Sequence, residues 1–265
     1  MENKMTKITI AGYGSVGHYV AKIFDDYNPV IYDPPLGYNE PNDLIDTDFV
    51  IVCVPTARLI SGACDTSIVE EIVRLADPND AIICHSTISV GTTDRLIKET
   101  GKPLVFMPEY AGESEIHPLR NPDNREFLIY GGYEPAVSKV QSLYENVYTN
   151  NNIQHFSTEP KTAEIVKYME NAFLATKVAF CNEFYDLCEA TDVDYEEVKS
   201  LWLQDNRINQ SHTIVTKERG FGGQCLPKDL AAICNTARNI GSPMHILEAV
   251  EEANNHHRQK AQGEI

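Results

Sequence analysis

The chain has 265 residues, of which 42% are hydrophobic and 23% charged, and its formal net charge is -17. This length can bury a substantial core, and the composition is that of a globular protein. The acidic balance argues against nucleic-acid or anionic-membrane partners, which require clustered lysine and arginine. The polar start of the chain lacks the apolar core of a signal peptide, and no stretch approaches the ~20 apolar residues of a membrane span.

Seven cysteines are scattered through the chain, and no two have C-x-x-C spacing. The odd number and the spacing favour reduced thiols over a disulfide framework or a zinc site, so we expect a cytoplasmic protein. The adjacent pair His256-His257 is interpreted as a solvated surface pair, because neighbouring side chains on a helix diverge. No metal site is predicted.

Short apolar runs alternate with amphipathic segments over the first 150 residues, as a parallel α/β sheet requires. The segment from Thr66 to Leu75, before Asp77-Pro78, is one of the amphipathic segments. The runs are apolar enough to be buried on both faces. Strands are predicted at 7–12, 29–33, 49–54, 81–86, 103–107 and 126–132.

The second half of the chain has a helical pattern. Lys161 to Ala190 contains almost no glycine or proline, and its apolar residues recur every three to four positions, which predicts one long helix. Shorter helices are predicted at 194–203, 227–239 and 243–260, with Pro227 and Pro243 in first-turn positions. We therefore predict an α/β Rossmann-type, doubly wound, mainly parallel sheet over residues 1–156, followed by an all-helical domain over 157–265.

The sequence GYGSVG follows the first predicted strand and opens a helix, and Asp33 ends the next strand. Strand, glycines, helix and distal acid together predict a dinucleotide site, in which the helix N-terminus binds the pyrophosphate and Asp33 the ribose hydroxyls. No arginine follows Asp33 to offset a 2′-phosphate, which favours NAD over NADP. The alternative is a merely structural glycine turn. The predicted cofactor residues here are Gly12, Tyr13, Gly14, Ser15, Val16, Gly17 and Asp33.

Two further loops follow predicted strands at the edge where an open parallel sheet binds ligands. Val54-Pro55-Thr56 comes after the third strand, and Ser86-Thr87 after the fourth. Either loop alone is as well explained as a helix-capping turn. Together with the glycine turn, they are predicted to line the cofactor cleft.

Three polar clusters carry the candidate chemistry. They are MPEYAGE (107–113), KYMENAFLATKVAFCNE (167–183) and GFGGQCLPKD (220–229). Lys167 and Asn171 share one helix face and can address a common substrate, although Lys167 taken alone is better explained as a snorkelling surface residue. Cys225 stands in a flexible, polar stretch, where a purely structural cysteine is unusual.

These clusters, together with STISVGT at 86–92, resemble the motifs of the UDP-glucose/GDP-mannose dehydrogenase family. The family carries G-F-G-G-x-C-x-P-K-D, a K-Y-x-x-N-x-F-L-A-x-K-V-x-F-x-N-E helix, S-T-V-x-x-G-T and N-P-E-F-L-x-E. The resemblance extends from Ile8 to about Arg258. It implies oxidation of a sugar-nucleotide primary alcohol to the carboxylate, with two NAD consumed per turnover.

The resemblance also implies residue roles. Cys225 would be the nucleophile that forms a thiohemiacetal and then a thioester, with its thiolate favoured by Lys228 and the following helix N-terminus. Lys167, assisted by Asn171, would accept a proton or stabilise an oxyanion. Asp229 and Thr87 would position the hydrolytic water, and Glu109 is an acid/base candidate. Further cofactor contacts would come from Glu113 and Lys228, and substrate contacts from Glu109, Tyr110, Lys167, Asn171, Arg207, Phe221, Gly222 and Gly223.

The sequence departs from the family pattern in its substrate-facing loops. Met107-Pro-Glu-Tyr-Ala-Gly replaces N-P-E-F-L-R, and Asn209 replaces the glycine of an R-I-G segment near Arg207. Family members also continue into a C-terminal domain that holds the nucleotide, which this chain is expected to lack. Two alternatives stay open: a non-catalytic NAD or nucleotide-sugar binding protein, and a two-electron β-hydroxyacid dehydrogenase.

A homodimer through the long helix is also predicted, because related enzymes pair there. The helix is rich in aromatic residues, although any one of them is equally explained by the core of the chain itself. The aromatic residues assigned to this surface are Tyr168, Phe173, Phe180, Phe184 and Tyr185.

Overall fold

A computed structural model describes residues 6–112, 117–148 and 153–264. The chain forms two compact units. The first comprises the described parts of Met1–Ala57 and Asp65–Lys167, and the second comprises Arg58–Cys64 and the described part of Tyr168–Ile265. Within the described ranges, no helix is both long enough and apolar enough to cross a membrane.

The first unit is built on a seven-stranded sheet with the spatial order β2-β1-β3-β4-β5-β6-β7. All neighbouring strands are parallel except β5 and β6. The predicted doubly wound, mainly parallel sheet is therefore confirmed. The strands are β1 (Ile8–Ala11), β2 (Val30–Tyr32), β3 (Phe49–Val52), β4 (Ala81–Cys84), β5 (Leu104–Phe106), β6 (Phe127–Gly131) and β7 (Gln154–Thr158).

The central strands are buried on both faces, as parallel strands between helical layers must be. Every residue of β1, β3 and β4 is buried. Side chains alternate between two apolar clusters: Ile51 and Ile83 lie in one, and Val52 and Ile82 in the other. The helices of this unit are α1 (Ser15–Ile23), α2 (Ser67–Leu75), α3 (Thr92–Thr100) and α4 (Ala136–Val147).

The second unit is helical, as predicted. Its helices are α5 (Pro160–Thr191), whose first turns belong to the first unit, α6 (Tyr195–Trp202), α7 (Cys225–Asn239) and α8 (His245–Gln262). The core of this unit contains Ala175, Leu230 and Val250. Pro227 lies in the first turn of α7, as predicted, although the helix begins two residues earlier than predicted, at Cys225. The prediction for Pro243 was wrong, because Pro243 precedes Met244, the N-cap of α8.

Residues 58–64 leave the sheet and pack on the helices of the second unit. Asn235 donates from Nδ2 to the Ser61 carbonyl at 2.7 Å. The Arg58 guanidinium lies 2.9 Å from the Glu251 carboxylate. A change of unit at this loop was not visible in the sequence, because the contacts that define it are tertiary.

Candidate functional site

The glycine turn after β1 is fixed by backbone contacts. Gly12 has a φ of +95°, and a Cβ there would lie 2.7 Å from the carbonyl of Cys53. A Cβ on Gly17 would overlap the carbonyl oxygen of Gly12. Glycine is therefore required at both positions, one for the turn and one for the close approach of α1.

Gly14 has a different environment. It is the N-cap of α1, and a Cβ there would meet no atom of the described residues within 4 Å beyond its chain neighbours. The helix starts with no side-chain cap and no acidic residue in its first turn. Its exposed N–H groups therefore suit an anion, and the open space above Gly14 fits a dinucleotide pyrophosphate.

Asp33 holds the end of β2 against this turn. Its Oδ2 accepts a hydrogen bond from the Tyr13 N–H at 2.7 Å, and its Oδ1 has no hydrogen bond within the described ranges. One carboxylate oxygen thus organises the turn, and the other can accept from a ribose hydroxyl. Pro34 begins a short 3-10 helix immediately after Asp33.

The loops after β3 and β4 meet at the carboxyl edge of the sheet. Ser86 donates from Oγ to the Val54 carbonyl at 2.8 Å. Thr56 and Ser86 are buried, Val54 and Thr87 are half-buried, and Pro55 is exposed. The strand order changes direction between β1 and β3, which is where open α/β sheets bind ligands.

Glu109, after β5, is a buried carboxylate paired with Arg125. The Arg125 guanidinium donates to Glu109 Oε1 at 2.5 Å, and their side chains are 2% and 6% exposed. The N–H groups of Tyr110 and Ala111 donate to the same oxygen at 2.7 and 2.6 Å. Burial raises the pKa of Glu109, but Arg125 and His85 outweigh it and lower the pKa below its ordinary value. The carboxylate is therefore ionised and fixed.

Lys167 lies in the first unit beside Tyr110. Its Nζ is 4.6 Å from the centre of the Tyr110 ring, and the residue is 8% exposed. Lys167 is therefore not the exposed snorkelling residue that was the alternative. It forms no ion pair with any described acid.

Glu164, one helical turn before Lys167, anchors the start of α5. Its fully buried carboxylate accepts from the Gly91 N–H at 2.5 Å, the Thr93 N–H at 2.9 Å and Thr93 Oγ at 2.7 Å. Burial raises its pKa, and the hydrogen bonds oppose that shift only in part. The sequence analysis missed Glu164, because one acid in a helix gives no sign of its tertiary partners.

In the second unit, Cys225 is the first residue of α7 and is exposed, whereas the other six cysteines are buried. The helix N-terminus lies at the cysteine itself. A thiolate there is favoured by the helix dipole.

Asp229, one turn further along α7, is 1% exposed and joins two other predicted site residues. Asn171 donates from Nδ2 to Asp229 Oδ2 at 2.5 Å, and Lys228 Nζ donates to Oδ1 at 2.5 Å. Asn171 is itself buried. The structure therefore brings Asn171, Lys228 and Asp229 into one hydrogen-bonded group.

The backbone before Cys225 is held by α8. Asn254 Oδ1 accepts from the Phe221 N–H at 2.6 Å, and Asn254 Nδ2 donates to the Phe221 carbonyl at 3.1 Å. A Cβ on Gly222 would lie 2.9 Å from an Arg258 nitrogen, and Gly223 has a φ of +74°. Neither Asn254 nor Arg258 was predicted, because both occupy an ordinary polar helical sequence.

One described site residue, Arg207, is not joined to these groups. The Arg207 side chain is 84% exposed and pairs with Asp205, with 2.5 Å between Nη2 and Oδ2. Glu113 lies outside the described residues, so its predicted cofactor contact stays a prediction. Among the described residues, no group of three or more histidine, cysteine or acidic side chains is placed to hold a metal ion.

The fold and the glycine turn define a Rossmann-type protein of the dinucleotide-binding class. Residues 161–256 match the model of the UDP-glucose/GDP-mannose dehydrogenase family, central domain. The predicted resemblance to this family is thereby confirmed over these residues. Dehydrogenases of the family are NAD-dependent, as predicted.

Among curated relatives, UDP-glucose 6-dehydrogenase of Rhizobium meliloti (strain 1021) is 31% identical over 230 residues. The match covers 82% of this chain and 52% of that protein. The chain therefore spans about half the length of the curated relatives it matches.

Two solved structures share the fold. A UDP-glucose dehydrogenase from Pyrobaculum islandicum superposes with a TM-score of 0.80 at 23% identity, covering 96% of this chain and 69% of that one. A 3-hydroxyisobutyrate dehydrogenase from Mycobacterium tuberculosis gives 0.70 at 17% identity, covering 94% and 92%. At these identities, the likeness concerns the fold alone.

Proposed function

We propose that this protein is a UDP-glucose 6-dehydrogenase-like, NAD-dependent oxidoreductase that converts the primary alcohol of a sugar nucleotide to the carboxylate. One observation carries the proposal. All seven cysteines are among the described residues, and the one that is exposed stands at the N-terminus of α7, within the segment that matches the family's central domain. An exposed thiol at a helix N-terminus is suited to nucleophilic chemistry.

The cofactor half of the proposal assigns NAD to the first unit, with residues 1–156 as the NAD-binding domain. Gly12 to Gly17 would bind the pyrophosphate, and Asp33 the adenosine ribose. Val54, Pro55, Thr56, Ser86 and Thr87 would line the cleft, with Glu113 and Lys228 as further contacts. NAD, when bound, accepts the hydride at each of the two oxidation steps.

Cys225 is proposed to bind the substrate covalently. Its sulfur would add to the carbonyl carbon of the intermediate aldehyde and form a thiohemiacetal. Oxidation of that adduct gives a thioester on the same sulfur. Water then releases the carboxylate and regenerates the thiol.

The polar residues around this chemistry are assigned by their surroundings. The Lys167 side chain, which forms no ion pair with any described acid, would accept the alcohol proton as the neutral amine or stabilise the oxyanion as the ammonium, with Asn171. Asp229 and Thr87 would orient the hydrolytic water. The ion pair of Glu109 with Arg125 favours a positioning role for Glu109 over proton transfer.

The substrate contacts are proposed for Glu109, Tyr110, Lys167, Asn171, Arg207, Phe221, Gly222 and Gly223. Arg207 is placed differently from the rest, since its exposed guanidinium is engaged by Asp205. An incoming anionic group would have to replace that carboxylate. The exposed backbone of Gly222 and Gly223 leaves room for close approach of a substrate.

A substrate panel tests the proposal. UDP-sugars, GDP-sugars and free sugars are each incubated with NAD, and NADH absorbance and acid product are measured. We expect two NADH for each carboxylate formed from one class of sugar nucleotide. NAD binding without NADH from any compound supports the non-catalytic alternative.

One NADH per substrate would instead support a two-electron β-hydroxyacid dehydrogenase. The likeness to the 3-hydroxyisobutyrate dehydrogenase means that the fold does not separate these two chemistries. Serine-sized hydroxyacids therefore belong in the panel. Their turnover, with no dependence on Cys225, would replace the leading proposal.

We also propose that residues 157–265 form a helical domain that pairs two copies of the chain. Helix α5 carries an exposed apolar stripe at Met169, Phe173, Phe180, Phe184 and Leu187, whose spacing of three, four or seven residues puts them on one face. Two aromatic residues assigned to this surface from the sequence lie elsewhere: Tyr168 is buried, and Tyr185 packs on Tyr195.

Sedimentation of the wild type and of Phe173→Ser tests the pairing. We expect a dimer for the wild type and a monomer for the variant, because burial of the stripe drives association. A monomeric wild type at micromolar concentration contradicts the proposal.

The buried cysteines also suit a reducing compartment, and we propose a cytoplasmic location.

A further inference from the structure

A second concave surface lies in the first unit, beside α1. The cavity has a volume of about 700 Å³, which is within the usual range for small-molecule sites. It is bounded by α1 on one side and by two 3-10 turns, Pro118–Arg120 and Pro122–Asn124, on the other. Its lining residues are His18, Tyr19, Lys22, His117, Pro118, Arg120, Asn121, Pro122 and Asn124. None of the residues from Gly12 to Gly17 is among them.

The charge of this lining is opposite to that of the chain. The chain has 39 acidic residues and 22 lysines and arginines, yet none of the described residues that line the cavity is acidic. His18 and Lys22 are four residues apart on α1 and therefore share a face. Arg120 contributes a positive charge from the opposite wall, where the His117 ring also lies. Among the described residues, no carboxylate pairs with Lys22 or Arg120.

The Arg120 and His18 side chains are held in place by neutral partners. Arg120 donates from Nε to the Gly112 carbonyl at 2.8 Å and from Nη2 to the Ser15 carbonyl at 3.2 Å. The His18 ring stacks on Tyr13 at 3.8 Å, and its Nδ1 lies 2.9 Å from the Gly14 carbonyl. These contacts orient both side chains and leave the positive charge of Arg120 available to a ligand. A preorganised site loses less entropy on binding.

We propose that this cavity binds a compact, phosphate-bearing small molecule with two or more negative charges. Arginine and lysine are the side chains that bind phosphate, and the amides of Asn121 and Asn124 add neutral hydrogen-bonding groups at the same wall. The site is separate from the proposed dinucleotide site, and its existence does not rest on the proposed function. It adjoins the glycine turn of the dinucleotide site through Arg120, whose guanidinium also contacts Ser15 Oγ.

Inorganic pyrophosphate titrated into the isotope-labelled full chain tests this site by amide chemical shifts. We expect the largest shifts at His18, Lys22, Asn121 and Asn124. The double variant His18→Ala/Lys22→Ala is expected to bind about tenfold more weakly or worse, since charge-assisted hydrogen bonds are lost. Lys98→Ala, an exposed lysine on α3, is the matched control and keeps the wild-type affinity.

Several results would overturn the proposal. One is a set of shifts confined to residues 12–17, which would assign the anion to the dinucleotide turn. Another is unchanged affinity in a double variant whose circular dichroism is native. Absence of pyrophosphate binding to the wild type at millimolar concentration would also overturn it. Lys22→Arg keeps the charge and is expected to bind as the wild type does, which separates lost charge from lost structure.

Discussion

Two glycine-rich segments carry the candidate chemistry, and they are held in different ways. In GYGSVG of the first unit, Gly12 and Gly17 are crowded by backbone atoms of Cys53 and of Gly12 itself. In GFGG of the second unit, the nearest atoms to Gly220 and Gly222 are side-chain atoms of Asn254 and Arg258. The first segment is therefore fixed by main-chain packing, and the second by two side chains of α8.

This difference bears on what each segment can do. A turn fixed by backbone presents its N–H groups in one arrangement, which suits a cofactor of constant shape. A segment held by side chains can be altered by one substitution on another helix. The conformation of the loop before Cys225 is thus more easily changed than that of the first turn, and substitutions can test each segment separately.

The largest effect is expected for Gly17→Val. Every rotamer of valine carries a Cβ that overlaps the Gly12 carbonyl oxygen, so α1 must move away from the turn. We expect a loss of about 1–3 kcal/mol or more in the free energy of unfolding. Urea unfolding measures this, and calorimetry is expected to detect no NAD binding. If this variant were as stable as the wild type, main-chain packing would not fix the first segment, and the contrast with the second segment would be wrong.

Gly14→Ala is the matched control for that experiment. A Cβ at this position meets none of the described residues beyond its chain neighbours, and the φ of -79° is open to alanine. The free energy of unfolding is expected to change by no more than about 0.5 kcal/mol. NAD affinity is nevertheless expected to fall, because the methyl group occupies the space proposed for the pyrophosphate.

A smaller effect is expected for Asn254→Ala. The variant leaves the N–H and the carbonyl of buried Phe221 without their partner, at a cost of about 1–3 kcal/mol in the free energy of unfolding. We also expect kcat to fall while NAD affinity in calorimetry stays unchanged. Asn255→Ala, the exposed neighbour, is the control. Equal behaviour of the two variants would show that α8 does not hold the loop.

The smallest effect concerns acid stability of the first unit. Burial raises the pKa of Glu70, but Arg95, Thr66 and Arg74 outweigh it and lower the pKa from 4.5 to about 2. A lowered pKa stabilises the fold above pH 4.5, and this contribution is lost as pH falls from 4.5 towards 2. Glu70→Gln is therefore expected to flatten the stability profile over that window.

Thermal unfolding at several pH values measures this profile. Glu71→Gln, an exposed carboxylate on the same helix, is the matched control. Because the ion pairs of Glu70 are partly exposed, the difference at pH 7 is expected to be at most about 1 kcal/mol. An identical acid limb in wild type and Glu70→Gln would exclude a role for these pairs.

The sequence predicted the strands well where burial on both faces requires apolar residues. Runs such as FVIVCV must be apolar because both faces are covered, so six strands were found, with ends one or two residues too long. The strand β7, QHFST, was missed. It is an edge strand whose residues are exposed or half-buried, so it has no apolar run to recognise.

Only the part of the site that consists of local sequence motifs could be predicted. Glycines and Asp33 have a fixed spacing along the chain, so their local geometry could be anticipated. The partners of Glu109 and Asp229 could not, because Arg125 and Asn171 are distant in sequence and join them only after folding. Asn254 is the same case, since a polar residue on a helix is ordinarily solvated.

The account depends most on Cys225 as a covalent nucleophile. Acid formation by Cys225→Ser, compared with the wild type and with its exposed neighbour variant Gln224→Ala, measures that role directly. We expect steady-state carboxylate production to fall by at least about 10³-fold in Cys225→Ser, as for loss of a catalytic nucleophile, and to persist in Gln224→Ala. Full acid production by Cys225→Ser, with the protein folded, would contradict the proposed chemistry.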